Sequence, residues 1–299
     1  MKHDLIIIRY GEIALKSKYT RNQFENRLIN NIIKIIKNNY IKYEISKEWG
    51  RIYLKTDNIE DSIKILKNIF GIVSISPAIK IETNIKEITK KSLCITKNLL
   101  SNKNSFALRV NRVGTHNFTS MEIAKQIGKE IVLNTKSNVK LKSPDHEIFI
   151  DIRNENTYIF LEKIYGRGGM PIGTQGNVLI IINEKKSILA AWYLIRRGCN
   201  PIFYLKNQSQ NNNLNKFMKK WFIDAKIFKN KEKNENNKII EIIKKENCLS
   251  IVTGHNIDKN DEIIDNIKEI KNNFGITALN PLIMMENNII NKKLKEIGL

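Results

Sequence analysis

The 299-residue chain predicts an α+β half followed by an α/β half. Three observations carry that expectation. Residues 1–81 read strand, helix, strand, strand, helix, strand, the order of a ferredoxin-like domain with one open sheet face. A glycine-dense stretch, residues 166–176, then breaks every periodicity, because each glycine adds backbone freedom that helices and strands tolerate poorly. After it an apolar strand, a polar turn, a helix and a second strand form a βαβ unit, and strands and helices alternate to the end.

Each element has its own justification. Residues 5–9 are nearly all apolar and suit a central strand. Thr20 and Gln23 have capping-box spacing, and a helix follows to about Asn38. Its buried stripe is Phe24, Leu28, Ile32, Ile35 and Ile36, leaving Arg21, Arg27, Lys34 and Lys37 for solvent or ligand. Strands are expected at 41–45 and 51–55, a helix at 59–69 with Ile63 and Leu66 inward, and a strand at 72–81 interrupted by Pro77. A helix over 85–100 and a strand over 106–110 come next. The loop 111–118 holds Arg112, Gly114 and His116, and a second capping box, Thr119 with Glu122, opens a helix lined by Ile123, Ile127 and Ile131. Lys140, Lys142 and the turn Ser143-Pro144-Asp145 lead to strands at 147–153 and 157–164, joined by a tight hairpin at 154–156.

In the second half, residues 178–182 are the first strand and 183–186 the turn. Ser187 is the expected N-cap of a helix to Arg197, with Ile188, Ala191, Trp192 and Ile195 on one face and Gly198 at its C-terminal stop. A strand at 201–205 closes the unit. Residues 206–215 are asparagine-rich and read as an extended loop, 216–224 as helical, and 229–237 as too polar to pack. A helix at 239–245, a buried strand at Cys248–Val252 ending in Thr253-Gly254, and helices at 258–272 and 285–297 complete the alternation.

The formal net charge is +21. Codon bias toward Ile, Lys and Asn would also raise the acidic residues, so it does not explain an excess of positive charge. Such a balance points to an anionic partner, such as nucleic acid, a membrane surface or a phosphorylated ligand. The three cysteines, Cys94, Cys199 and Cys248, lie far apart, so neither a disulfide framework nor a metal site is expected, and all three read as structural. The N-terminal apolar run is too short for a signal peptide, and no run reaches the roughly 18 residues needed to span a bilayer. A soluble, cytoplasmic protein with no membrane partner is the expectation.

Strand-to-helix turns in βαβ units are where phosphate binds, because free N–H groups and the helix dipole converge there. Here that turn contains no glycine. Basic side chains gather around the loops of the middle segment: Arg109, Arg112, His116, Lys140 and Lys142. They suit a sugar–phosphate backbone, whose readout is mainly electrostatic, and solvated surface charge is the competing reading for each.

The motifs Tyr10-Gly11-Glu12-Ile13-Ala14-Leu15-Lys16, Gly50-Arg51-Ile52, Phe70-Gly71-Ile72, Ser76-Pro77, Ser120-Met121-Glu122 and Pro144-Asp145 occur in this order. With them stands Gly168-Gly169-Met170-Pro171-Ile172-Gly173-Thr174-Gln175-Gly176. In these the chain resembles the tRNA 4-thiouridine synthetases, THUMP-domain tRNA sulfurtransferases, in the form without a rhodanese domain. The resemblance implies a ferredoxin-like domain (1–81), a THUMP RNA-binding domain (82–165), a glycine-rich linker (166–177) and a Rossmann-like domain of the PP-loop pyrophosphatase type (178–299). It further implies that the first two hold tRNA by its acceptor stem and 3′ end; Lys16, Arg21, Arg109, Arg112, His116, Lys140 and Lys142 are the basic side chains expected to make the contacts. The third would adenylate a uridine with ATP and magnesium before a persulfide-bearing cysteine delivers sulfur.

The chain departs from this family at the chemistry. A PP-loop should read Ser-Gly-Gly-x-Asp-Ser; here the stretch is Asn183-Glu184-Lys185-Lys186-Ser187, one residue shorter, with only Ser187 matching. Glycines let backbone N–H groups close around a pyrophosphate, and Glu184 opposes one. Asn183, Lys185, Lys186 and Ser187 are what remains for binding a nucleotide, the two lysines by charge. Thr253-Gly254-His255 lacks the family's acid and Asn280-Pro281-Leu282 its arginine. The helix before Cys248 carries no cysteine, and His255 reads as a general base only where a substrate reaches it. The reading is a tRNA-binding protein with a degenerate PP-loop and no cofactor, ATP with magnesium entering only where that loop still works. A working sulfurtransferase completed by a partner subunit and a non-catalytic protein–protein scaffold are the alternatives. A homodimer and a sulfur-donor partner stay open.

Overall fold

The computed structural model describes residues 3–230, 235–256 and 262–299. In chain order β1 (Leu5–Tyr10), α1 (Lys18–Asn38), β2 (Glu44–Glu48), β3 (Arg51–Lys55), α2 (Ile59–Leu66) and β4 (Ile72–Glu82) reproduce the ferredoxin-like order. Next come α3 (Ile85–Thr96), β5 (Ser105–Val113), α4 (Ser120–Thr135), β6 (Asn138–Val139), β7 (His146–Arg153), β8 (Asn156–Phe160) and β9 (Ile164–Tyr165). The remainder is β10 (Asn177–Ile182), α5 (Lys185–Arg196), β11 (Asn200–Leu205), α6 (Asn211–Lys220), β12 (Ile227–Lys229), α7 (Glu235–Lys245), β13 (Cys248–Val252), α8 (Glu262–Phe274), β14 (Thr277–Leu279) and α9 (Asn287–Ile297).

Two compact units result. The first takes the described residues up to Arg9, Asn39–Lys67 and Ser74–Tyr165; the second takes Tyr10–Asn38, Asn68–Val73 and the described residues from Gly166 onward. Helix α1 therefore groups with the C-terminal half.

In the first unit a nine-stranded sheet runs β2-β3-β1-β4-β8-β7-β5-β6, with β9 also on β4. The β4–β8 ladder joins the ferredoxin-like strands to those of the middle segment without a break. Helices α3 and α4 supply Ile88, Ile123, Ile127 and Ile131 to a core against Ile148, Ile150 and Ile152 of β7. A second apolar cluster gathers Leu5, Ile7, Tyr53, Phe149, Tyr158 and Phe160. Within it Tyr53 stacks on Tyr158 at 4.7 Å and Phe149 on Phe160 at 5.0 Å between ring centroids.

The second unit holds a five-stranded, all-parallel sheet, β12-β11-β10-β13-β14. Helices α5, α6 and α9 pack on one face and α7 on the other. Phe70, Trp192 and Trp221 form an aromatic knot in the first of these layers, with centroids 5.4–6.0 Å apart. The Trp221 Nε1–H donates to the Ile297 carbonyl at 3.1 Å.

Several local expectations need correction. Helix α1 starts before Thr20, whose N–H donates to Ser17 Oγ at 3.4 Å, so Ser17 stands in the capping place. Its buried residues are Glu25, Leu28, Ile32 and Ile36, with Phe24 and Ile35 only half-buried. Strand β4 passes through Pro77 unbroken. The proline falls between Ser74–Ile75, which pair with β9, and Ile79–Glu82, which pair with β8, so no ladder donor is lost on that side. The expected open loop at 206–215 gives way to α6 from Asn211, because Leu214 and Phe217, three apart, anchor it to the core. Helix α7 reaches back to Glu235, and β14 was not anticipated. Of the helix expected at 258–272, residues 258–261 lie outside the described residues, as do 231–234 of the polar stretch.

The glycine-dense stretch is tied down. N–H groups of Gly173, Thr174 and Gln175 converge on the Gly198 carbonyl at 2.9, 3.0 and 3.1 Å. Gly169 sits at φ +76, and a Cβ there would lie 2.2 Å from the Arg196 carbonyl oxygen. Only glycine fits where this stretch closes the C-terminal end of α5.

Candidate nucleic-acid interface and strand-to-helix turn

The basic side chains singled out by sequence do not form one patch. Lys16 and Arg21 belong to the second unit, Arg21 with Glu25 at 3.7 Å. The other five lie in the first unit and divide again. Strand β5 continues to Val113, so Arg112, expected in the loop, is a strand residue like Arg109, and their odd and even positions put the two on opposite sheet faces. Arg109 Nε donates to Glu147 Oε1 at 2.7 Å and its Nη2 to the Leu141 carbonyl at 2.9 Å. That second bond holds the 140–142 segment, where Lys140 and Lys142 are exposed, beside β5.

Arg112 forms the other group. Its Nη1 donates to the Gly114 carbonyl at 3.1 Å and approaches His116 Nδ1 at 3.5 Å. His116 Nε2 lies 3.0 Å from the Asn154 carbonyl, which requires the proton on Nε2 and leaves Nδ1 to accept. The His116 ring also lies 5.2 Å from that of Phe118. Next to it, the Thr119–Glu122 capping box is present: Glu122 Oε2 accepts the Thr119 N–H at 2.7 Å, and Thr119 Oγ1 accepts the Glu122 N–H at 3.2 Å. Hydrogen bonding to the carboxylate from the Thr119 backbone N–H, and then from the Thr119 side chain, holds the Glu122 carboxyl below its usual range. The outcome is a ledge on which Arg112 and His116 are tied to the Gly114 and Asn154 carbonyls.

In the second unit the turn after β10 is two residues long, and α5 begins at Lys185. Ser187 is therefore inside the first turn, not its N-cap; Glu184 takes that place. Ser187 Oγ, fully buried, accepts from the Asn183 and Glu184 N–H groups at 3.4 Å each. Lys186 Nζ reaches Asn256 Oδ1 at 2.9 Å and Glu184 Oε1 at 3.2 Å. Asn256, buried, in turn donates to the Met285 carbonyl at 3.2 Å and Asn287 Oδ1 at 3.1 Å. Just past β13, Thr253 hydrogen-bonds Asn280, and Gly254 presses its backbone on the turn: a Cβ there would lie 2.6 Å from Ser187 N. Desolvation, followed by repulsion from Lys186, lowers the His255 pKa below the ordinary imidazole value.

Cys199 and Cys248 are buried, and burial raises both thiols, Cys248 to about 11. Cys94 is exposed on α3, contrary to the structural role expected for it: it lies beside the helix's buried stripe rather than in it. Among the described residues no group of three or more His, Cys, Asp and Glu gathers to hold a metal, and no helix is long and apolar enough to cross a membrane. The sequence reading missed Asn256, whose only signal was its place just past Thr253-Gly254. It also missed Arg9, Arg51 and Lys163, although a lone arginine closing an apolar strand is itself unusual.

Comparison with known proteins agrees with the architecture. Residues 5–76 match the ThiI ferredoxin-like domain and residues 82–162 the THUMP domain. A probable tRNA sulfurtransferase from Methanocaldococcus jannaschii is 34% identical over 338 aligned positions, 98% of this chain and 87% of that protein. One from Methanobrevibacter smithii is 36% identical over 208 positions, 68% of this chain and 53% of its own length. The chain spans about half the length of most of the curated relatives it matches. A crystal structure from Pyrococcus horikoshii superposes with TM-score 0.87 at 28% identity, over 99% of this chain and all of that one. The crystal structure of a 4-thiouridine synthetase–RNA complex with bound ATP gives TM-score 0.80 at 23% identity over 99% and 85% of the two chains, a likeness of fold.

Proposed function

Because this chain belongs to the tRNA sulfurtransferase family, we propose that its N-terminal half binds tRNA while its C-terminal half no longer drives nucleotide chemistry. The proposed division is residues 1–81, 82–165, a linker at 166–177, and 178–299. Support for RNA binding comes from the THUMP match, the +21 charge, and the exposed or loop-tied Arg109, Arg112, His116, Lys140 and Lys142. Lys16 and Arg21 are proposed as further contacts. Phosphate and shape readout suits an RNA helix, whose deep groove hides the base edges.

One observation carries the loss of chemistry: Lys186 is bonded to Glu184 and Asn256, and Gly254 lies against Ser187. ATP with magnesium does not fit such a turn. A pyrophosphate needs free N–H groups and uncommitted cations at the helix start. Here Glu184 places a carboxylate there, Lys186 is committed, and Asn183 and Ser187 bond each other. Cys248, held protonated in β13, does not suit a sulfur carrier, which needs an accessible thiolate. The test is tRNA-dependent pyrophosphate release from ATP by the purified chain, expected to be absent, alongside tRNA binding that weakens steeply with salt. Measurable release would overturn the first statement, and salt-insensitive binding the second.

A second reading is an active ATP-dependent tRNA sulfurtransferase, working with a sulfur-donor or catalytic partner in the cytoplasm. The nearly whole-length match to the Methanocaldococcus jannaschii relative favours it, as do two lysines in the first turn of α5. Pyrophosphate release separates the two readings.

A further inference from the structure

In the first unit, cations from four separate stretches line a cleft of about 370 Å³ beside the stacked phenylalanines: Arg9, Arg51, Arg109 and Lys163. Arg9 Nη1 donates to Ser76 Oγ at 2.9 Å, and its guanidinium stands 4.7 Å over the Phe160 ring. Its Nη2 is buried and, among the described residues, has no acceptor. Lys163 Nζ stands 4.2 Å over the Phe149 ring. Arg51 Nε, also buried, lies 3.4 Å from Asp151 Oδ2 without the alignment of a hydrogen bond.

The carboxylates present do not balance these charges. Glu147 is taken by Arg109. Asp151 accepts from Asn111 Nδ2 at 2.9 Å and from buried Arg153 Nε at 3.3 Å before Arg51 and Arg9 have any share of it. Burial, followed by repulsion from Arg51, brings the Arg9 pKa down to about 10, and burial followed by Arg9 lowers that of Lys163. Uncompensated like charges in a half-buried cleft are costly unless an anion completes them. Both phenylalanine faces already carry a cation, so they orient charge and leave no open ring for a base to stack on. The group that fits is a compact oxyanion with several acceptor oxygens.

We propose that this cleft is a phosphate seat, in which Arg9 Nη2, Arg51 and Lys163 hold one backbone phosphate of an unpaired RNA segment. The phosphate chemistry stands on the cleft alone; its RNA source rests on the RNA-binding function proposed above. An unpaired strand can lower one phosphate into a narrow cleft, whereas a double helix presents its phosphates on a broad convex surface.

The test uses the full chain in two arms. In the first, Lys163 is labelled with an amine-reactive reagent, with and without inorganic phosphate, and read by mass spectrometry. Phosphate should slow labelling at least about threefold. In the second, affinity for a single-stranded oligoribonucleotide is compared with that for the blunt duplex of the same sequence. Lys163→Gln, an exposed position, should weaken single-strand binding about 3–10-fold and flatten its log–log salt slope by about 0.7, leaving the duplex within about twofold. Arg51→Lys, which keeps the charge but removes the fork, should weaken the single strand as well. Equal loss on both RNAs, or no loss on either together with no phosphate protection, overturns the seat while leaving RNA binding standing. Phosphate protection without any RNA effect overturns the RNA source. If the wild type binds no RNA at all, the proposed function fails, and phosphate protection alone then decides the seat.

Discussion

In the cleft of the first unit Arg9, Arg51 and Arg153 crowd around Asp151, whereas at the turn of the second unit Lys186 has Glu184 and Asn256 to itself. Both sites hold partly buried cations on a sheet framework. They differ in whether the chain supplies the acceptors. Where it does, as at Lys186, the cation is already compensated from within the chain. Where it does not, the folded state carries repulsion that only an outside group relieves. Positive charge near a binding fold is thus a poor guide to ligand binding until its partners are counted.

The comparison is broken most forcefully at Asp151. Asp151→Ala removes the carboxylate bonded to buried Arg153 and should cost about 3–5 kcal/mol by urea unfolding. If surplus charge is the cause, inorganic phosphate restores part of that loss; an unchanged midpoint would show that the cleft tolerates its charges unaided. Gly254→Ala comes next. Its new Cβ meets backbone at 2.6 Å, so a loss of about 1–3 kcal/mol is expected, with tRNA affinity unaffected. Lys186→Met tests completeness at the turn, since it leaves Asn256 and Glu184 each one partner short. The expected loss is about 1 kcal/mol, and titration with ATP should show no binding in either form. The smallest effect is chemical. Alkylation of the folded chain at pH 8 should modify Cys94 and spare Cys199 and Cys248. A thiol raised by burial stays neutral further into alkali, so Cys248 labelling should climb only as pH approaches about 11.

What the sequence made legible was whatever neighbouring residues decide. The Thr119–Glu122 box was readable because both bonds close within one helical turn. The parallel strands of the second half were readable from their short apolar runs. Ser187 was misplaced because Glu184 and Ser187 both have capping chemistry, and the end of β10 decides which one serves. The asparagine-rich start of α6 hid two apolar anchors among polar residues that look like loop. The sites themselves depend on meetings no local pattern encodes: Lys186 with Asn256, 70 residues on, and Arg9 with Ser76, 67 residues on. Basic residues alone located neither the committed lysine nor the crowded cleft.

The aromatic knot around Phe70 has a practical consequence for spectroscopy. Of the three indoles in the chain, Trp192 and Trp221 are buried in the second unit, while Trp49 in the first is 65% exposed. Emission will therefore shift to the red chiefly when the C-terminal sheet melts, and loss of the N-terminal sheet will pass almost unseen at that wavelength. A thermal scan followed by intrinsic fluorescence reports on half of this molecule, and the stacked Tyr53 and Tyr158, seen by near-ultraviolet dichroism, are the signal for the other half.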